Sequence, residues 1–336
     1  MNEILLDARI TKRMSVGMIA YARELVTRLP RVAPDLQFDV WAAGGNFGLD
    51  EQWHLPRYAA AERVAVLHHL AVYGSLLGSQ PTVVTIHDLI HLRYPRYFKC
   101  AVGPYYALVV RAVCARAVRV IVDDPRTTED LRRFLGVPPA KVRVVPLGVD
   151  ETFLNVADGP PAARPYFFYA GNRREHKDVP TLVAAWEALP DELVVDLVLT
   201  GHDDGTFRGR GRARGVLRFA GEVSTEELAR LYRGAAAYVH PSLCEGFGLP
   251  LLEATATGTD AIACVDAIPA ILADLVDAFE PRDVAGLTRR LQAALERPAD
   301  PARRERLRVR AATYSWDRCA ASTAEVYREV VSESQR

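Results

Sequence analysis

The chain has 336 residues, enough for two domains and too many for one hydrophobic core of usual size. Its 42 basic and 42 acidic residues cancel, which removes any overall electrostatic case for a nucleic-acid partner. Five scattered cysteines with no C-x-x-C pair speak against a disulfide or zinc framework and suit free thiols in a reducing compartment.

The N-terminal MNEILLDARITKR has acidic residues flanking its short apolar run, unlike a signal peptide. No uncharged apolar run approaches the ~20 residues of a membrane span, so a cytoplasmic protein is expected. Glu3 to Asp7 reads as a first strand. A loop through Ser15, Val16 and Gly17 follows, then a helix from about Met18 to Leu29. Gly17 falls just before that helix, where backbone can approach a phosphate; a flexible connection is the other reading. Gln37 to Ala42 is a second strand, and Asn46 to about Ser79 is poorly patterned. The run PTVVTIHDL ends in His87-Asp88. Ligands of a parallel α/β sheet bind beyond the carboxyl ends of its strands, which is where His87 falls, with Asp88 available to orient its ring. His91 has no such support and reads as structural. Pro104 to Arg119 reads as a helix, RVIVDD as a strand, and TTEDLRRFLGV as a helix opening at Thr127 or Thr128. The proline-rich stretch Asp158 to Pro165 is the best inter-domain boundary.

The second half restarts the α/β rhythm. The strand YFFYAG leads into NRREHKD, which places Arg173, Arg174 and Lys177 at a helix entry. After the strand DLVLTG, Arg208, Arg210, Arg212 and Arg214 alternate in a segment without interleaved aromatics, so a variable surface loop is preferred to an RNA-binding one. A strand and a helix follow, with Ser224 as N-cap and Glu227 at the capping-box position. The strand AAAYVH then runs into HPSLCEGFGLPLLE. Here Gly246 and Gly248 make a turn, a helix opens at Pro250, and Glu245 and Glu253 flank the turn. Glycines admit a close ligand, and the first helical N–H groups carry the positive dipole end. Asp283 to Leu295 reads as a helix. The final helix carries Trp316 and Tyr327 as packing residues.

The string PSLCEGFGLPLLEATATGTDAI resembles the E-x7-E signature of retaining nucleotide-sugar glycosyltransferases, the GT-B enzymes of glycosyltransferase family 4 (group 1). GNRREHKD resembles the same family's G-N-x-x-x-x-K-N, and the strand ending in His87-Asp88 and the string VVPLGVD match it as well. The resemblance implies an α/β GT-B fold, two Rossmann-like doubly wound domains facing across a cleft. Residues 1–157 would form the acceptor side and 158–315 the donor side, with 316–336 a helix crossing back. It implies His87, Lys177 and Glu245 as the catalytic set. Gly17, Arg173, Arg174, Gly246, Phe247, Gly248, Leu249 and Glu253 would bind the donor, with Glu253 on the ribose and Lys177 on the pyrophosphate. The family usually has two glycines near Gly17, and an arginine where this chain has Asn172, which leaves Arg173 and Arg174 both open as the assisting cation.

By the same resemblance the reaction moves a sugar, with retention and without a metal or other cofactor, from a nucleotide-diphosphate sugar to a saccharide or lipid-linked acceptor. Surface polysaccharide or glycoconjugate biosynthesis is the expected setting. A nucleotide-sugar epimerase or a phosphorylase lacks this pairing of motifs. The chain departs from the family at Asp124, at Asp260 in place of proline, and at Ala270 in place of glutamate, the last two expected to border the nucleotide pocket. These departures carry the alternative of a non-catalytic nucleotide-sugar-binding or scaffold member. Arg57, Arg63, Arg93, Arg96, Lys99, Arg111, Arg116 and Arg119 outnumber nearby acids in the first half. Two readings stand open: peripheral docking at the inner face of the membrane to reach an anionic or lipid-borne acceptor, or a solvated arginine-rich surface.

Overall fold

The computed structural model describes residues 3–9, 15–44, 48, 50–98, 102–159, 162–208, 210–211 and 215–335. Lys99, Arg212 and Arg214, singled out above, lie outside the described residues. The chain forms two compact units, Met1–Gly148 with Trp316–Arg336, and Val149–Ser315.

In the first unit β1 (Glu3–Asp7), β2 (Gln37–Trp41), β3 (Val66–His69), β4 (Thr82–Thr85), β5 (Arg119–Val122) and β6 (Val142–Val144) form one parallel sheet in the order β2-β1-β3-β4-β5-β6. The second unit repeats the plan with β7 (Tyr166–Tyr169), β8 (Asp196–Leu199), β9 (Leu217–Phe219), β10 (Ala237–His240), β11 (Ala261–Cys264) and β12 (Asp277–Phe279), in the order β12-β11-β10-β7-β8-β9. The inner strands of this sheet are short runs such as YFFY and AIAC, buried at every residue. Edge strands β9 and β12 are only part-buried. A strand covered on both faces has no solvent side, so it is apolar throughout rather than alternating.

The order of each sheet reverses once, between β1 and β3 in the first unit and between β7 and β10 in the second. At such a switch point the loops after the two strands leave in opposite directions and open a crevice for ligands. The loops after β7 and β10 hold Lys177 and Glu245, so the second unit delivers its two motifs to one place.

The division of the chain falls after Gly148, not at the expected 157/158 boundary. Val149 donates its N–H to the Tyr314 carbonyl at 2.9 Å and bridges Ser315, while buried Phe153 packs edge-on to Tyr232 at 5.9 Å. Asp158 is paired with Arg233 at 2.7 Å. The described residues 158, 159 and 162–165 of the proline-rich stretch are therefore exposed positions inside the second unit. Gly17 also differs from expectation. It is the second residue of the helix Val16–Val32 rather than a residue ahead of it.

The terminal helix Trp316–Ser334 packs on Val16–Val32, with Asp317 accepting from Arg28 and Arg31. Trp316 is buried as expected, but Tyr327 does more than pack. Its hydroxyl meets His68 Nδ1 at 2.6 Å inside the core, and His68 Nε2 lies 2.9 Å from Thr85 Oγ1. Burial pushes the His68 imidazole down to about 3, so the ring is neutral and needs both partners. Tyr327→Phe strips one of them. Stability of the first unit should fall by about 1–2 kcal/mol, read as a lower urea midpoint at unchanged slope.

Candidate active site

Beyond β7 the chain runs through a 3₁₀ turn, Glu175–Lys177, into the helix Val179–Glu187. Asp178 joins the two with a left-handed backbone, φ +46°. Beyond β10, Pro241 to Cys244 are buried, and Gly248 turns the chain into the helix Leu249–Ala256. The φ of Gly248 is +77°, a conformation that costs little only without a Cβ. Leu243 N–H donates to the His176 carbonyl at 2.8 Å, which pins the two loops together beside the switch point.

That pin brings Lys177 and Glu245, 68 positions apart, into contact: Lys177 Nζ donates to Glu245 Oε1. His240, the last residue of β10, places Nε2 2.9 Å from the same oxygen. Burial by itself would raise the Glu245 carboxyl, but Lys177 and His240 outweigh it and hold it well below the usual carboxylate range. Glu253 differs. Its Oε2 accepts from the Tyr232 hydroxyl at 2.9 Å, and burial, with the Asp150 charge adding, pushes it up to about 7 against that hydrogen bond. Two carboxyls of one motif are thus driven apart, one firmly ionised and one poised near neutrality.

The remaining expected residues divide by geometry. Phe247 is buried, so any ligand contact it makes passes through its backbone, while Gly246, Leu249 and Glu253 are part-exposed. Arg173 turns to the loop after β8, pairing with Asp204 at 3.1 Å, donating to the Thr200 and His202 carbonyls and covering the Phe219 ring. The Arg174 side chain is exposed. Pro269 lies 3.5 Å from the space a Cβ on Gly248 would take, so the Ala270 turn does border the motif. Asp260 does not. It precedes β11, at the opposite end of the sheet from Glu245, and is held there by Arg297 and Arg303 at 2.7 and 2.5 Å.

Gly17 and His87 belong to the first unit. His87 Nδ1 is 2.6 Å from Asp123 Oδ2, and Tyr21, one helical turn on from Gly17, stacks edge-on to the imidazole at 4.7 Å. Asp88, expected to orient the ring, instead accepts the Ile90 N–H at 3.1 Å. The orienting carboxylate is Asp123 at the end of β5, the strand beside the one that precedes His87. Burial lowers the proton affinity of His87, but Asp123 outweighs it and the net change is upward. The Asp123 carboxyl is itself raised, because burial exceeds the pull of His87. His91 lies between Phe98 and Tyr106, as a structural residue does. Asp124 caps the helix Pro125–Asp130 and binds Arg126 through both its N–H and Nε. Its charge is matched locally.

Of the basic residues in the first unit, Arg119 is spent on Glu329 and Glu333 of the terminal helix and Arg93 lies 3.8 Å from Asp130. Arg57 covers the exposed Trp53 ring. No helix among the described residues is long and apolar enough to cross a membrane.

Comparison with known proteins bears on both units. Residues 151–314 match the family described as Glycosyl transferases group 1, and residues 16–153 match Glycosyltransferase Family 4. The chain is 26% identical over 268 residues to the O-antigen chain mannosyltransferase B of Escherichia coli, across 73% of this chain and 70% of that protein. It is 31% identical over 252 residues to the D-inositol 3-phosphate glycosyltransferase of Streptomyces avermitilis, across 67% of this chain and 54% of the relative. The chain thus spans about half the length of that second relative. Among solved structures, a sucrose-phosphate synthase from Thermosynechococcus elongatus superposes with TM-score 0.78 at 21% identity, over 99% of this chain and 100% of that one. Anabaena HepE, in complex with UDP-glucose, gives 0.68 at 14% identity, over 97% and 99%. At these identities the structural likeness establishes the fold.

Proposed function

Because this chain belongs to the group 1 glycosyltransferases and has their GT-B fold, we propose that it transfers a sugar from a nucleotide-diphosphate sugar to a saccharide or lipid-linked acceptor, with retention of configuration. The observation that carries this reading is the convergence of Lys177 and Glu245 from the two loops at one switch point. In it Lys177, with exposed Arg174, meets the diphosphate, on which negative charge builds as the glycosidic bond breaks. A fixed cation already in place lowers that barrier without waiting for solvent to reorganise. These cations take the electrostatic role that a metal fills elsewhere. Arg173, held by Asp204, positions the loop instead.

In the same reading Glu245 orients the sugar and supports its positive charge in the transition state. Glu253 takes the ribose hydroxyls. The acceptor hydroxyl attacks on the face the diphosphate leaves and passes its proton to a departing phosphate oxygen, so no carboxylate nucleophile is needed. Bound UDP-glucose in HepE supports a nucleotide-sugar donor for a chain of the same fold. The O-antigen mannosyltransferase supports a role in polysaccharide or glycoconjugate synthesis. His87, oriented by Asp123, is the catalytic residue proposed for the first unit. Asp123→Asn should cost turnover on the order of 10²-fold, as a misplaced catalytic group does, with donor affinity little changed.

The alternative of a binding member without turnover rests on the departures at Asp124, Asp260 and Ala270. The first is a helix cap and the second lies at the far end of its sheet, so only Ala270 stands beside the motif. A thermal-shift screen against UDP-, GDP-, ADP- and dTDP-sugars decides between the two, followed by assay of nucleoside-diphosphate release. A ligand that binds only the folded state raises its melting temperature. Stabilisation by one nucleotide class with turnover is the expected result. Stabilisation without turnover, with any acceptor or water, would establish the binding member.

A further inference from the structure

His240 opens the HPSLCEGFGLPLLE stretch without an assigned role there, yet it lies against Glu245 in the site. It ends β10 and is almost wholly buried. One edge of its ring meets Glu245: Nε2 lies 2.9 Å from Oε1, the oxygen that also takes Lys177. The other nitrogen, Nδ1, lies 2.7 Å from the hydroxyl of Tyr238, two residues back on the same face of the strand. The Nε2–Oε1 approach is a close charge contact without hydrogen-bond geometry, and the Tyr238 hydroxyl also lies 3.5 Å from the Ala170 carbonyl.

The chain of contacts continues. Tyr238 packs edge-on to Tyr232 with ring centroids 5.1 Å apart. Tyr232, fully buried on the helix Thr225–Gly234, gives its hydroxyl proton to Glu253 Oε2 at 2.9 Å. Three buried side chains from a strand and a helix thus lie packed between Glu245 and Glu253.

We propose that His240 is a positioning residue of the donor site, fixing the Glu245 carboxylate from inside the sheet, with its own ring held by the Tyr238 hydroxyl. The inference rests on the reading of Glu245 and Glu253 as the carboxylates that contact the sugar and the ribose of one nucleotide-diphosphate sugar. Glu245 lies on a loop between a buried proline and the glycine turn, and a loop carboxylate held only by the flexible Lys177 chain has several ways to rotate. A second contact on the same oxygen, from a buried ring, restricts that freedom and leaves Oε2 to neither of them. The physical consequence is catalytic more than adhesive: a sugar misaligned by a fraction of an ångström still binds but reacts slowly.

The test compares His240→Gln, whose amide N–H reaches as far as Nε2, with His240→Asn, whose shorter amide reaches Tyr238 and not Glu245. Tyr238→Phe serves as a nearly isosteric second variant, and Glu245→Ala as the reference. Each is assayed for nucleoside-diphosphate release from UDP-glucose, GDP-mannose, ADP-glucose and dTDP-glucose, for nucleoside-diphosphate affinity, and for thermal unfolding. The expected result is a fall in kcat for His240→Asn of roughly 30- to 100-fold at a KM within about threefold, most of it recovered in His240→Gln. Tyr238→Phe should fall in between. Equal loss in Asn and Gln that tracks a shared drop in melting temperature would mean a merely structural histidine and overturn the proposal. Full activity in His240→Asn and Tyr238→Phe with Glu245→Ala inactive would overturn it too, while sparing the donor-site reading. Full activity in Glu245→Ala, or no donor bound by the wild-type protein, would remove the donor-site reading itself and this inference with it.

Discussion

Lys177→Ala is expected to slow sugar transfer on the order of 10²- to 10³-fold, the range seen when one preorganised electrostatic group is removed from a site of developing charge. The side chain is mostly buried beside Glu245, where a charge interacts far more strongly than in water. Two effects add. The leaving diphosphate loses its fixed cation, and Glu245 loses the charge that keeps it ionised, so burial is free to push its carboxyl upward. The loop stays anchored by Leu243 on His176, so the fold should survive the change. Rates of nucleoside-diphosphate release at saturating donor, with thermal unfolding run alongside, check the prediction. Turnover within a fewfold of the wild-type protein would remove Lys177 from the chemistry.

Glu253→Gln should stabilise the second unit at alkaline pH. The folded carboxyl titrates at about 7 against a reference of 4.5, so the folded chain binds a proton that the unfolded chain has released between those values. The contribution of this group to stability is therefore intact below about pH 4.5 and is lost as pH rises through 7. The amide introduced by the substitution would not ionise and would still accept from Tyr232. The variant should gain up to roughly 3 kcal/mol over wild type above about pH 8, with the difference shrinking to nothing towards about pH 4. Urea unfolding at a series of pH values measures it, and a gain that does not change with pH would show the carboxyl is not raised. Ligand binding should carry the opposite sign. Ribose hydroxyls donate to an ionised carboxylate, so nucleotide affinity should tighten as pH passes about 7 in wild type and stay flat in the variant.

Much of the proposed donor site is local in sequence. Glu245, Gly246, Gly248 and Glu253 lie within one strand–turn–helix segment, and local backbone chemistry constrains such a segment strongly. Lys177 was legible from its own helix-entry motif. Legibility ended where two partners come from different segments. Asp88 stood next to His87 and was the natural choice to orient it, but it is turned away by its own bond to the Ile90 N–H, and Asp123 arrives across the sheet. Asp260 sits a few residues from Glu253 in sequence, yet one helix carries the chain to the other end of the sheet before β11 begins. His240 gave a weak signal in hindsight: with Tyr238 it makes a polar pair on one face of an otherwise apolar strand.

The domain boundary failed for a related reason. Prolines and small residues report where the backbone is exposed, which the described residues 158, 159 and 162–165 satisfy. They do not report which core a segment packs into, and Phe153 against Tyr232 decides that.

What the amino-acid order determined by itself is the alternation of short buried strands with helices, the restart of that rhythm in the second half, and the identity of the motif residues. These follow from local periodicity, glycine conformation and helix-end chemistry, all readable over a few neighbouring positions. Tertiary structure alone decided the charge state and partner of each group: Lys177 and His240 on Glu245, Asp123 on His87, Tyr327 on His68. Proton affinity depends on burial and on the nearest charge, and both are set by strand order, which brings together residues that the chain keeps far apart.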